Sequence, residues 1–324
     1  MKMNSPVEHQ PTFRVLAGSA GRHLPMMAGM LSGAIDAVEA LRASVGDSTG
    51  RAGSKVQPIV LGVSGGAIAA AAAALGMTAS EMREIAVHFP DSQVLGPRSM
   101  RSLIARRTLY PAADVRAIAQ AVVGDRSFSD FTLSDSRFPR WGGPSSLYIT
   151  VYSAQCGTLV LPRDLPLLGV DDMLVADALV AATRIPGALP AARGLDDLFD
   201  GAVHHRVPYE LFLPHPALVL DLYRPRPYRS LGGLALPAIH PRLPMIPVRP
   251  RPFRDETVRQ RTIFANLPYG SLLTSPALPS GALFDQGRLL ATTWMQSRSM
   301  SELMAIADPR ALGLDASRDL PLSG

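Results

Sequence analysis

Ile59-Val60-Leu61-Gly62-Val63-Ser64-Gly65-Gly66-Ala67-Ile68-Ala69 is the stretch on which the reading of this chain turns. A β-branched, apolar run enters it and an alanine-rich run leaves it, which predicts a buried strand followed at once by a slim helix. Between them, Gly62-Val63-Ser64-Gly65-Gly66 matches G-x-S-x-G. A serine on a sharp strand-to-helix turn has a strained backbone and needs small neighbours on both sides. Such a turn lifts the hydroxyl clear of the sheet. The helix behind it aims unbonded N–H groups and the positive end of its dipole at the same point. Ser64 is therefore the candidate nucleophile, with Gly62, Gly65 and Gly66 forming its elbow.

Composition bounds the rest. A chain of 324 residues, 47% hydrophobic and 18% charged, can bury a full-sized core and is globular. Cys156 is the single cysteine, so no intrachain disulfide is available and no oxidising compartment is needed. It lies in Gln155-Cys156-Gly157-Thr158, read as a turn. No apolar core follows Lys2, as a signal peptide would require, and no run approaches the roughly 20 strongly apolar residues of a membrane span. A cytoplasmic location is expected, with peripheral membrane contact. The net charge is +5, and only Lys2 and Lys55 among the basic residues are lysines. Arginine grips phosphate in bidentate fashion, which suits anionic lipid or nucleic acid. The chain is also rich in alanine and proline, so most arginines are read as compositional bias and no nucleic-acid partner is expected.

Along the chain, residues 1–12 form a polar lead-in and Phe13-Arg14-Val15-Leu16-Ala17 a strand. Gly18–His23 is a small-residue loop, and 25–42 an amphipathic helix with Met27, Met30, Leu31, Ala34, Val38 and Leu41 on one face. A Gly/Ser-rich loop covers 44–55. Thr78-Ala79-Ser80-Glu81 is a capping box that opens a helix ending near Pro90. Residues 98–107 and 113–123 read as helices. Leu147–Tyr152 and Thr158–Leu161 read as a hairpin. A helix over 172–183 ends at Ile185-Pro186-Gly187, and Ala217–Leu222 is a buried strand. Strands thus alternate with helices, which predicts an α/β fold around a mostly parallel sheet covered on both faces. Residues 224–254 are dense in proline and arginine and read as an extended linker. Helices are expected over 255–266 and 288–296. A further capping box, Ser299-Met300-Ser301-Glu302, opens a short helix to Ala307. The expected organisation is a lead-in (1–12), a catalytic unit (13–223), a linker (224–254) and a helical extension (255–324). His204 and His205 are adjacent instead of spaced i, i+4, so no zinc pair forms, and neither metal nor organic cofactor is expected.

Three separated stretches line up with a known pattern: Gly18-Ser19-Ala20-Gly21-Arg22-His23, the Ser64 elbow, and Asp200-Gly201-Ala202. With Arg184-Ile185-Pro186-Gly187-Ala188-Leu189-Pro190, they resemble the patatin-like phospholipase family over about residues 13–223. The resemblance implies a three-layer α/β/α fold and a Ser–Asp dyad without histidine. Carried over by motif, Ser64 is the nucleophile and Asp200 the base, with Gly201 and Ala202 completing the D-G-A motif. The loop Gly18, Ser19, Ala20, Gly21 and Arg22 would form the oxyanion hole. Two of the family's loop glycines are replaced by Ser19 and Ala20, and the last by His23. Backbone donors survive such changes, while positive φ angles need not. A carboxylate can activate serine despite its ordinary pKa of about 3.9, and desolvation would raise that value. Asp196 and Asp197 lack the following Gly-Ala and are expected in a solvated loop.

The resemblance implies a lipid acyl hydrolase acting on phospholipid or acylglycerol esters. Two alternatives stay open. One is a conventional Ser-Asp-His hydrolase, since His204, His205, His215 and His240 all follow an aspartate. The other is a non-catalytic member that binds lipid or protein. Two further expectations concern surfaces. The Arg/Pro segment would meet anionic membrane, and residues 98–123 would form an apolar cap whose Leu103, Ile104, Leu109 and Ile118 touch the acyl chain.

Overall fold

The computed structural model describes residues 12–45, 56–89, 94–106, 108–132, 145–191, 194–212, 215–223, 256–267, 276–307 and 312. The expected lead-in up to residue 11, almost all of the 44–55 loop, and the Arg/Pro linker lie outside them.

The apolar runs form the strands β1 (Thr12–Ala17), β2 (Gln57–Val63), β3 (Leu147–Ser153), β4 (Gly157–Leu161), β5 (Leu198–Asp200), β6 (Leu218–Tyr223) and β7 (Thr262–Leu267). Their order is β4-β3-β2-β1-β6-β7, with β5 also paired to β3. The pairs β1/β2, β2/β3, β1/β6 and β6/β7 are parallel, while β4 and β5 run antiparallel to β3. The sheet is mostly parallel, as expected.

Alternate residues along each strand feed opposite faces, because side chains in a strand repeat every two residues. Phe13, Val15, Val60, Ile149 and Leu220 face one cluster. That cluster is completed by α1 (Leu24–Val45), α2 (Gly65–Ala74), α3 (Ala79–His88), α5 (Val115–Val123) and α6 (Val175–Thr183). Leu16, Leu61, Tyr148 and Val219 face the other, covered by Val207, Leu211 and Val258. Helices thus flank the sheet, consistent with the expected α/β/α arrangement. Thr78 and Glu81 make the reciprocal capping box at the start of α3, and Ser299 with Glu302 does the same for α9 (Met300–Met304). The helical stretch Gly21–Ser44 is long and apolar enough to cross a membrane by length and composition, but 61% of its apolar 18-residue segment is buried against the rest of the fold.

The C-terminal part departs from expectation. The helix expected over 255–266 exists only as α7 (Glu256–Gln260), and the chain then turns into β7, which extends the sheet beside β6. A short apolar run carries the same periodicity in either state. Its strand partner lies about forty residues upstream, beyond any local signal. The helix expected from 288 starts earlier, as α8 (Ser280–Gln296). Leu283, Phe284, Ala291 and Met295 of α8 enter the main core. The chain after 255 therefore adds a strand and a core helix, where a purely helical extension was expected.

Helix α8 lies backbone-to-backbone on α1. A Cβ at Gly29 would come within 2.0 Å of the Phe284 carbonyl oxygen, and one at Gly287 within 2.2 Å of that of Met26. Neither oxygen can yield without the helices moving apart. Gly29→Leu should therefore cost more than about 3 kcal/mol, by overpacking plus loss of the buried faces on both helices. Equilibrium denaturation reads this directly; a loss under about 1 kcal/mol would show that the helices separate easily.

Candidate active site

The strand-to-helix turn carries the strain that its sequence demands. Ser64 has φ 57° and ψ −134°, a conformation that costs a non-glycine residue about 1–3 kcal/mol. The surrounding packing holds it there. A Cβ at Gly62 would sit 2.3 Å from Ala67 Cα, so only glycine lets α2 fold back onto β2. At Gly66 a Cβ would meet the Gly18 carbonyl oxygen at 2.2 Å, which binds the elbow closely to the loop after β1.

Strand β3 brings the two candidate catalytic side chains together. Thr150 pairs with Val63 at the end of β2, and the next residue, Val151, pairs with Asp200 at the end of β5. Because β4 occupies the opposite edge of β3 over the same residues, β5 continues along the edge that β2 has just left. The two strands therefore meet head to head, and 136 positions of sequence separation close to a hydrogen bond. Ser64 Oγ donates to Asp200 Oδ2 at 2.5 Å. The Ala202 N–H donates to Asp200 Oδ1 at 2.8 Å, so the third position of D-G-A serves the carboxylate through its backbone. Gly201 must be glycine for a separate reason: a Cβ there would lie 2.6 Å from Thr150 Oγ1.

Asp200 is buried, and burial pushes its carboxyl up to about 7, against the smaller lowering by the Ser64 and Ala202 hydrogen bonds. Losing water disfavours the anion more than two donors favour it. A group near 7 is matched to accepting and returning a proton at neutral pH. Asp196 lies exposed, as expected of a competitor without the motif.

The oxyanion loop corrects one expectation and answers another. Gly18 N–H donates to the Leu220 carbonyl at 3.0 Å and Ser19 N–H to that of Arg206 at 3.3 Å, so both amides are engaged in the fold. Neither is placed to hold an oxyanion. Positive φ occurs in this loop only at Gly21 (φ 51°), while Ala20 is right-handed helical. The replacements Ser19, Ala20 and His23 thus fall where φ is not positive, and the one position of the loop with a positive φ, Gly21, has kept its glycine. Gly21 also lies against the elbow: its N and O are each 3.2 Å from where a Cβ on Gly65 would stand.

A cavity of about 120 Å³ opens onto Ser64, Gly65, Gly21 and Arg22. Its walls are mainly apolar, with Ile68, Phe89, Val115, Ile118, Ile185 and Leu189 among them. The cap expectation holds for Ile118 alone. Leu103, Ile104 and Leu109 do not line the cavity, and Ile104 is 81% exposed on α4 (Met100–Arg106). Instead the chain on either side of α4, at Leu95 and Tyr110, supplies the wall.

Two arginines to which the sequence assigns no role hold the site. Arg184 donates through one nitrogen to the carbonyls of Asp196 (2.6 Å) and Leu198 (2.9 Å) and stacks on Phe199. Its own carbonyl accepts the Asp200 N–H at 2.9 Å, so it fixes the strand that delivers the carboxylate. Arg206 pairs with the buried Asp221 at 2.8 Å while its carbonyl holds Ser19. In an arginine-rich chain both look like surface charge. The available signal was position: one opens the Ile-Pro-Gly motif and the other follows D-G-A closely.

His204 and His205 pair with groups other than Ser64 and Asp200. Exposed His204 shares a 2.6 Å hydrogen bond with Thr158, and His205 faces Glu210 at 3.4 Å. His240 lies outside the described residues. Among the described residues no cluster of three or more His, Cys, Asp or Glu side chains is placed to hold a metal.

Residues 27–213 match the model of the family described as patatin-like phospholipase. The matched span includes Ser64, Asp200 and the Ile-Pro-Gly stretch, and begins after the loop at 18–23. No curated protein matches the chain.

Proposed function

Since the chain belongs to the patatin-like phospholipase family, we propose that it is a lipid acyl hydrolase that cleaves carboxylic esters of phospholipid or acylglycerol through a Ser64 acyl-enzyme. The hydrogen bond between Ser64 Oγ and Asp200 Oδ2 is the observation that carries this reading. In the first half-reaction Ser64 Oγ attacks the ester carbonyl as its proton passes to Asp200. Collapse of the tetrahedral intermediate breaks the C–O bond, and Asp200 returns the proton to the departing alcohol. In the second, Asp200 takes a proton from water, the hydroxide attacks the acyl carbon, and the released fatty acid leaves Ser64 protonated again.

The developing oxyanion needs preorganised donors. The N–H groups of Gly65, at the first turn of α2, and of Gly21, beside it, fit that need. The apolar cavity that ends on these groups suits an acyl chain. A cytoplasmic enzyme in peripheral contact with anionic membrane completes the proposal. Burial of much of the apolar segment within Gly21–Ser44 supports a core role for α1.

Turnover of p-nitrophenyl esters of increasing chain length, followed by a lipid panel, tests the activity. Purified protein that is folded but inactive on every ester would favour the binding-only alternative. The direct contact between Ser64 and Asp200 also predicts that His204→Ala and His205→Ala each retain more than about half of wild-type turnover, because neither imidazole stands between nucleophile and base. A thousandfold-scale loss in either variant would restore the conventional triad.

A further inference from the structure

Helix α4 turns outward a face that the fold does not use. Met100 is 63% and Ile104 is 81% exposed, one helical turn apart, and none of its residues is buried. Contiguous exposed apolar surface rimmed by polar residues is a mark of a protein or membrane contact site. The surrounding charge says what kind. From Val94 to Ala113 the chain carries Arg98, Arg101, Arg106 and Arg107 and no carboxylate. Arg101 and Arg106 are exposed and form no ion pair among the described residues. A protein partner's apolar patch would not by itself call for this one-signed stretch, whereas an acyl layer beneath a sheet of phosphates matches both features.

The helix is also presented rigidly. Asp114 N–H donates to the Val94 carbonyl at 2.8 Å and Ser99 N–H to that of Leu109 at 2.8 Å, closing the excursion at its base. Leu109 and Tyr110 N–H groups donate to the carbonyls of Gly187 and Ala188, each at 2.9 Å, which ties it to the Ile-Pro-Gly loop. The same excursion lines the cavity through Leu95 and Tyr110. A surface that touched α4 would thus lie next to the cavity that ends on Ser64.

We propose that α4 is a docking element for anionic phospholipid bilayers, with Met100 and Ile104 entering the headgroup boundary while Arg101 and Arg106 meet lipid phosphates. The proposal rests on the lipid-ester reading above for its biological sense, but its test is independent of turnover. Full-length protein is co-sedimented with phosphatidylcholine vesicles with and without phosphatidylglycerol, at low and high salt.

Wild type should bind the anionic vesicles at least about tenfold more tightly than the neutral ones, and high salt should remove most of that preference. M100S/I104S and R101Q/R106Q should each weaken binding to anionic vesicles by about tenfold or more. Both variants should hydrolyse a soluble butyrate ester at the wild-type rate, which also shows that they are folded. Equal binding to neutral and anionic vesicles overturns the proposal, as does wild-type protein that binds neither. Variants that sediment like wild type overturn it too, and would move the contact elsewhere, residues 224–254 being the next place to test. Because sedimentation needs no turnover, a protein inactive on the soluble ester would count against Ser64 and Asp200 and not against α4.

Discussion

Ser64→Ala and Asp200→Asn should each lower kcat/KM for a soluble acyl ester by about three orders of magnitude or more, with the fold retained. Serine without a proton acceptor is a weak nucleophile, and the 2.5 Å contact offers Asp200 as that acceptor. Asparagine keeps the size of the side chain and an oxygen for the Ala202 N–H, but it cannot take a proton. The two losses should not add, because either change disables the same proton transfer. The double variant should therefore be no slower than the slower single one, both resting on whatever the backbone donors still contribute. For the same reason wild-type kcat/KM should climb with pH through about 7, as Asp200 ionises, and then level off. An active Asp200→Asn enzyme would remove the dyad from consideration.

Asp200→Asn should also stabilise the protein, and with a pH dependence that no surface change would reproduce. The buried carboxyl is raised from an ordinary 3.8 to about 7, chiefly by loss of water. Between those two values the folded chain holds a proton that the unfolded chain has released. Wild-type stability therefore falls as pH rises from about 4 to about 7, and the full cost is present above that range. At roughly 1.4 kcal/mol per pKa unit, the cost is on the order of 4 kcal/mol. The neutral amide avoids it. Asp200→Asn should be more stable than wild type by about 2–4 kcal/mol at pH 8, with the gap closing toward pH 4. Denaturant titrations of both proteins across that range measure it. A variant less stable than wild type at pH 8 would mean that the site favours the aspartate anion. A histidine base gives a similar rising limb in activity, so this stability difference separates the two mechanisms where the pH–rate profile does not.

How much of this was legible in the sequence depended on distance along the chain. The elbow is local: strand, Ser64 and α2 lie within one run, and their glycines are required by contacts that the motif encodes. Asp200 was legible because its motif is local too, although the reason it reaches Ser64, the shared edge of β3, is not. Strand β7 was missed since a parallel edge strand is defined by a neighbour far away in sequence. The expectation of acyl contacts at Leu103, Ile104 and Leu109 rests on apolar residues pointing inward, and an exposed Ile104 breaks that rule. Arg184 and Arg206 were hidden by composition, where one arginine among many carries no mark of burial. The α1–α8 contact had a sequence trace, Gly29-x-x-x-Gly33 facing Gly287-x-x-x-Ala291, which spacing alone does not assign to partners.

Labelling with a fluorophosphonate, with the modified residue mapped by mass spectrometry, tests the dyad most directly. The reagent requires an activated serine and no knowledge of the lipid. Wild type should carry the adduct on Ser64, at a labelling rate that rises with pH through about 7, and Asp200→Asn should label orders of magnitude more slowly. Folded wild-type protein that takes no label, or takes it on another serine, would contradict the dyad.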